Sequence, residues 1–469
     1  MLIRKEGGLV MKLKRIAALL LSATVAAGAL AGCGGSGSGS TQSSKTEDTS
    51  TGTEDAGTED TAGTKTADAG EESADTGEAV SEGGTVEFWN DKMANMEQSY
   101  LDAIFGEVKN VSGYTIDMVP YPDTASYQTA MQQTIRDEKA PGLFTWWSGP
   151  QLQTLVENGL VEDLTPVWDN YIYNEGVSQG VADAFTFDGK VYAAPWSVLY
   201  NVVFYNKTVF DQYGLKEPET FDEFLQLCET LKSNGVTPIA LKSDSWAGFI
   251  WFQALLAAKD VELYKGVCDG SIKYTDERIV EVMEIWKDML DKDYFSLPID
   301  WSDVRAAFSN GEVAMMLEPH VEFTGMRNDY GMTEGEDIDS FVVPAMDGGK
   351  RTIFFEAAPL CVASNSAQKE DALKVLESWY KPEVQNAFHA QSGYTNTSKV
   401  DVDSPAVQKI LDETADADNY QLVLRFYEST PDKLRDFVLD ELMKFQLKNS
   451  SVEEMLSTIQ AEADATFGN

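Results

Sequence analysis

Residues 189 to 207, GKVYAAPWSVLYNVVFYNK, restrict this chain more than any other stretch. Two apolar, β-branched runs, Val191 to Trp196 and Val198 to Tyr205, have strand composition and flank one small polar residue, Ser197. Proline donates no ladder hydrogen bond and biases its neighbour toward extended geometry, so the Pro195-Trp196 step predicts a change of direction or of sheet. Two strands that cross between two domains are therefore expected here.

Two domains also suit the length, since 469 residues exceed what one hydrophobic core serves. Lys12, Lys14 and Arg15 precede an apolar run from Ile16 to Leu30, too short to span a bilayer. With the small residues before Cys33, this predicts a signal peptide over residues 1–32. The tetrad LAGC resembles a bacterial lipobox, and by that resemblance Cys33 carries a lipid that anchors the protein to a membrane. The plainer alternative is a free thiol after a secretory signal. Residues 33–84 are almost wholly Gly, Ser, Thr, Ala, Asp and Glu, with no aromatic residue and few large aliphatics, which predicts a disordered acidic linker.

The net charge is -41, and the linker explains only part of it, with 12 Asp and Glu against 2 Lys in residues 34–83. A folded part this acidic argues against nucleic acid as a partner, because phosphate binding needs clustered Lys and Arg. Past Cys33 only Cys228, Cys268 and Cys361 remain, an odd number at no metal-ligand spacing. Cys228 shares a helical face with Phe224 and Leu231, which makes it a core residue.

Folded sequence begins at Thr85 with VEFWN, continues in helical periodicity through Tyr100, Ile104 and Val108, and returns to a strand over Tyr114 to Tyr121. Such a β-α-β unit builds a parallel sheet with ligands at the carboxyl ends of its strands. Asn90 and Asp91 stand at such an end, as ligand contacts or as caps of the next helix. A third strand, Gly142 to Trp147, ends in Trp146, Trp147 and Ser148; neighbours on a strand face opposite ways, so one of the two tryptophans belongs to the core. Thr220 and Glu223 form a capping box ahead of Phe224, Leu227, Cys228 and Leu231. Helices are expected at Trp246 to Ala258, Ile279 to Lys292, Val304 to Asn310 and from Ser451 to Phe467. Further strands are expected at Gly311 to Leu317, Phe341 to Val343 and Thr352 to Ala363.

The segments VYAAPWSVLYNVVFYNKTVF, PETFDEF, LKSNGVTPIA, FSNGEVAMM and ASNSAQKEDALKVLESWYKPEVQNAF, with LVENGLVEDLTP, resemble extracellular solute-binding proteins of ABC transporters, in particular the sugar-binding group that includes maltose-binding protein. The resemblance implies an α/β, two-lobed, periplasmic-binding-protein-like fold with discontinuous lobes. It places an N-terminal lobe at 85–194 and 358–397, a C-terminal lobe at 197–354 and 398–469, and hinge crossings at 193–197, at 354–358 and shortly after Tyr394. It also implies a mono- or oligosaccharide ligand, ABC permease subunits as partners, a monomer without cofactor, metal or catalysis, and a location on the extracellular face of a bacterial membrane of Gram-positive type. A sugar's apolar C–H faces stack on aromatic rings and its hydroxyls need planar donors and acceptors. By family position the binding residues are Asn90, Asp91, Trp146, Ser148, Trp196, Glu318 and Glu356, with Trp246, Trp251, His320 and Arg435 as secondary candidates. Whether the Trp196 ring faces the sugar is left open.

Three departures from the family pattern bear on specificity. Pro141 is followed by Gly142 where aspartate is usual, His320 and Val321 stand where a stacking tryptophan is common, and Glu356, Ala357 and Ala358 replace glycines at the second crossing. Two other classes remain as alternatives, a surface-anchored glycan-acting hydrolase that uses two carboxylates and an adhesin. With only His320 and His389 in the chain, a histidine-rich metal site or a Ser-His-Asp arrangement has little support.

Overall fold

In a computed structural model the described residues are 82–468, apart from 94–95, 122 and 398. The expected signal peptide, Cys33 and nearly all of the linker therefore lie outside the described residues. The described residues form one compact unit.

The strands in chain order are β1 (Thr85–Asn90), β2 (Thr115–Pro120), β3 (Leu143–Thr145), β4 (Thr186–Phe187), β5 (Lys190–Val191), β6 (Ala194–Asn206), β7 (Thr237–Ile239), β8 (Val313–Pro319), β9 (Ile338–Phe341), β10 (Arg351–Val362) and β11 (Tyr420–Leu424). Nine of them make one sheet in the order β2-β1-β3-β10-β6-β8-β7, with β11 on β10 and β9 on β6, while β4 and β5 form a separate hairpin. The β1-helix-β2 opening is parallel, as the sequence predicts, with Thr85 opposite Thr115 and Asn90 opposite Pro120.

Around the expected break at Ser197 the structure differs from expectation. β6 is a single strand of 13 residues that runs through Pro195 and Ser197. The disturbance survives as a register shift: Ala358 faces Ser197 while the next residue, Pro359, faces Pro195, so Trp196 is left over as a bulge. Neither proline has an N–H to give the other, so the shift sacrifices no ladder bond between them. The carbonyls there are taken by other groups, that of Pro359 by the Trp146 N–H at 3.0 Å and that of Pro195 by the Tyr380 hydroxyl at 2.7 Å.

Two apolar clusters pack on this sheet, as the length requires. One gathers Phe88, Ile104, Phe144, Trp196, Trp379 and Phe388. The other gathers Phe224, Phe252, Trp286, Met315, Val438 and Ile459. Because β6 is common to both, its side chains divide by alternation, Val202 and Phe204 into the first cluster and Val203 and Tyr205 into the second. The first cluster also extends along the sheet to Ile410 and Leu411 of the helix Pro405–Ala415. Between the clusters, β6 and β10 pair with each other from Val198 and Ala357 to Asn201 and Phe354.

Local signals account for the helix starts. Thr220 and Glu223 make the reciprocal capping box of the helix Phe221–Ser233, and Ser451 accepts from the Glu454 N–H at the head of Val452–Phe467. Cys228, Cys268 and Cys361 are buried and unpaired. Burial raises all three thiol pKa values, that of Cys268 to about 12, so they are packing residues.

Candidate functional site

The carboxyl ends of β1 and β3 present one wall. Asn90 is fully buried, and its Oδ1 accepts the N–H groups of Lys92 at 2.6 Å and Met93 at 3.1 Å. This turn ends β1 well before the next helix, Gln98–Ser112, so Asn90 shapes a loop rather than caps a helix. The loop holds out Asp91, whose carboxylate accepts from Thr145 Oγ1 at 3.0 Å and pairs with Lys92 at 3.3 Å. Lys92 Nζ stands 4.4 Å above the ring of Trp147. Trp147 is half-buried, whereas Trp146 is buried against Phe144 and Tyr127 and lines a groove beside Gln128, Ile135 and Leu155. Of the two tryptophans, Trp147 thus carries the more open ring, and Trp146 is the one that packs on the core.

Three further candidates turn out to hold the crossing together. Ser148 donates its hydroxyl to the Ala357 carbonyl, tying the loop after β3 to β10. Trp196 is 1 % exposed and stacks on Trp379 at 4.5 Å, with Phe88 and Phe388 on other sides. Its ring belongs to the first core and not to a cleft, because the bulge turns it inward. His320 is fully buried; its Nδ1 accepts the Tyr200 N–H at 3.1 Å and its own N–H returns to the Tyr200 carbonyl at 2.8 Å. With Nδ1 accepting, Nε2 carries the proton and donates to Thr395 Oγ1 at 3.0 Å. Burial, aided by His389, lowers the His320 pKa to about 3, so the ring is neutral. Next to it, Asn396 mimics a strand edge by accepting from the Val198 N–H at 2.9 Å and donating to the Trp196 carbonyl at 2.8 Å. His320, Thr395 and Asn396 thereby satisfy the edge of β6 where it has no second strand.

The other wall lies at the carboxyl ends of β7 and β8. Glu318 and Lys242 form a buried pair at 2.8 Å. Burial raises the Glu318 pKa to about 7 although Lys242 pulls it down. Lys242 Nζ also lies 4.2 Å from the ring of Trp246 and 4.8 Å from that of Trp301. Trp246 is 37 % exposed, an open ring beside a charged pair. Trp251 is not part of this wall: it is buried between Phe224 and Phe295 in a helix that is apolar all round.

Glu356 is partly exposed on β10, opposite the half-buried Leu199 of β6. Arg425, just after β11, grips it at 2.7 Å and forks onto Glu428 with two bonds of 2.7 Å. Burial opposes the Arg425 charge, but Glu356 and Glu428 outweigh it and hold the guanidinium above its ordinary range. For Glu428, burial pushes the carboxyl up while Arg425 pulls it down. Arg435 stacks 4.1 Å over the ring of Tyr427 and pairs with Asp432 and Asp436, both at 2.8 Å. The helix after β3, Pro150–Glu157, reaches this segment directly, for Gln151 donates to Asp432 at 3.3 Å. At Gly149, φ is +68° and an added Cβ would stand 1.8 Å from the Glu428 carbonyl oxygen, so only glycine permits the approach.

The arrangement thus brings Asp91 and Glu318 to strand ends, sets Trp246, Glu356 and Arg435 on the turn Ser245–Gly248, on β10 and on the helix Asp432–Gln446, adds Lys92, Trp147, Lys242, Trp301, Arg425 and Tyr427, and assigns Asn90, Trp146, Ser148, Trp196, Trp251 and His320 to turn, packing or crossing contacts. Among the described residues, His, Cys, Asp and Glu form no group that could hold a metal ion.

Comparison with known proteins fits this geometry. The family model described as bacterial extracellular solute-binding protein matches residues 103–412. An uncharacterized ABC transporter extracellular-binding protein of Pyrococcus horikoshii, PH1214, is 27% identical over 242 residues, 46% of this chain and 53% of its own. The diacetylchitobiose binding protein DasA of Streptomyces coelicolor is 26% identical over 216 residues, 43% of this chain and 48% of its own. The chain spans about half the length of these relatives. Among solved structures, the apo-form of RafE from Streptococcus pneumoniae aligns with a TM-score of 0.68 at 20% identity, covering 83% of this chain and 100% of that one. A chitin oligosaccharide binding protein gives 0.67 at 19% identity, covering 82% and 99%. The fold is therefore the expected two-lobed α/β fold of the solute-binding proteins, and, with the family model matching well over half its length, this chain belongs to the bacterial extracellular solute-binding proteins.

Proposed function

We propose that the protein binds a mono- or oligosaccharide between its two lobes and delivers it to the permease subunits of an ABC importer. One observation carries this reading: open indole rings, Trp147 and Trp246, stand at strand ends on both sides of the β6-β10 crossing, each beside a carboxylate and an amino group. Rings for sugar faces and planar polar groups for hydroxyls are what a saccharide needs. A hydrolase would need two carboxylates aimed at one bond, whereas Glu318, Glu356 and Glu428 are each held by a cation. That favours capture over cleavage.

Lobes at 85–194 with 358–397 and at 197–354 with 398–469 would then close about 193–197, 354–358 and the segment after Tyr394. A lipid on Cys33 and the tether to residue 84 would hold a monomer on the outer face of the cell membrane.

Thermal shift and calorimetry against an oligosaccharide panel test this reading. A ligand at about a thousand times its dissociation constant adds roughly 4 kcal/mol of stability, and the sugar should be recovered intact; cleaved products would favour the hydrolase. Trp147→Ala is expected to weaken binding about tenfold or more with little change in melting temperature, since a stacked ring contributes about 1 kcal/mol beyond its apolar contact. Unaltered affinity would remove Trp147 from the site. Separately, Cys33→Ser should move the protein from the membrane fraction to the medium, and mass spectrometry should find a diacylglyceryl-sized addition only on the native chain.

A further inference from the structure

We infer that the site selects uncharged saccharides and rejects acidic ones, uronates above all; this rests on the saccharide reading above. An acidic sugar is recognised by a cation whose charge is not already paired, because a carboxylate taken from water needs charge-assisted hydrogen bonds and a compensating charge. Each cation named above already has its charge paired with a carboxylate. Arg425 gives Nη1 to Glu356 and its Nε and Nη2 to Glu428. Lys242 is buried against Glu318 and covered by two indole rings. Lys92 pairs with Asp91 and sits over Trp147. Arg435 is held by two aspartates.

What stays open is acceptor capacity. The Glu356 side chain is 27% exposed and Arg425 grips it through Oε2, which leaves lone pairs for hydroxyl donors. A hydroxyl satisfies that carboxylate, whereas a uronate meets it as a like charge in a partly desolvated place. The overall charge of -41 acts the same way at longer range, lowering the encounter rate of anions.

Calorimetry on the intact protein with matched pairs tests this: xylotriose against its glucuronic acid-substituted form, galactobiose against digalacturonate, and cellobiose against its uronate. In any pair that binds, the acidic member is expected to be at least tenfold weaker. Glu356→Gln removes the negative charge that Arg425 Nη1 pairs with and should improve the uronate relative to its neutral partner by tenfold or more. Asp91→Asn, which frees Lys92 at a more exposed position, should act in the same direction and serves if the first variant fails to fold. Equal or tighter uronate binding by the native protein, or an unmoved ratio in the folded variants, would overturn the selectivity while leaving saccharide binding intact. Silence across every pair would overturn the saccharide reading itself, and this inference with it.

Discussion

Replacing Arg425 by methionine is expected to cost about 3–5 kcal/mol of stability at neutral pH, the range for breaking a buried ion pair from one side. The guanidinium is 14% exposed and serves Glu428, 7% exposed, and Glu356, 27% exposed, so its loss strands one carboxylate inside and another at the crossing. Arg425→Lys should recover only part of the loss, since an ammonium lacks the planar fork that meets Glu428 with two bonds. Adding Glu428→Gln to the methionine variant should recover more, because the stranded charge is then gone. Urea denaturation of the four proteins checks the order. A methionine variant within 1 kcal/mol of the native protein would show the network to be as weak as an exposed pair. Ligand affinity should fall too, because Arg425 fixes the Glu356 carboxylate.

Much of the scaffold is legible in the sequence because it depends on local chemistry. The opening β-α-β unit, the capping box of Thr220 and Glu223 and the Ser451 cap all follow from periodicity and turn residues within a few positions of each other. The site depends on contacts between distant segments, and there the sequence is less informative. Trp196 has the right position to floor a cleft, but its neighbour Trp379 lies far along the chain and the bulge that turns it inward needs Pro359. His320 resembles a polar ligand contact until Tyr200 and Thr395 claim both ring nitrogens. Trp251 is excluded by its own segment, since the helix FIWFQALLAAK has no polar face to set toward a cleft. Lys242 and Arg425 are not legible in the sequence, for a common reason. They follow β7, three residues long with a proline in it, and β11, a five-residue strand with only one buried residue, and neither pattern reads as a strand by alternation.

Lys242→Met should show the strongest pH dependence of any single change at the site. Burial raises the Glu318 pKa to about 7 in the folded protein against 4.5 as its ordinary value. A raised folded-state value means that the stabilising contribution of the protonated form is complete below about 4.5 and disappears as pH rises through 7. In the native protein Lys242, 2.8 Å away, compensates the ionised carboxylate above that point. Without it, Glu318 must stay protonated or stand alone in a buried site, so the substitution is expected to cost about 3–5 kcal/mol at pH 8. At pH 5 the balance changes: native Glu318 is mostly neutral, Lys242 is the buried charge lacking a partner, and methionine fills its place without one. The cost at pH 5 should therefore shrink to near zero or reverse. Denaturant titrations at both pH values decide the matter, and an equal cost at pH 5 and pH 8 would mean that Glu318 keeps its charge throughout and that the pair acts only through packing. The companion Lys242→Met, Glu318→Leu should be close to native at both pH values, because replacing both members of a buried pair leaves no stranded charge. Its loss of saccharide affinity, if Trp246 and Trp301 keep their places, would then measure what the charged pair itself gives the ligand.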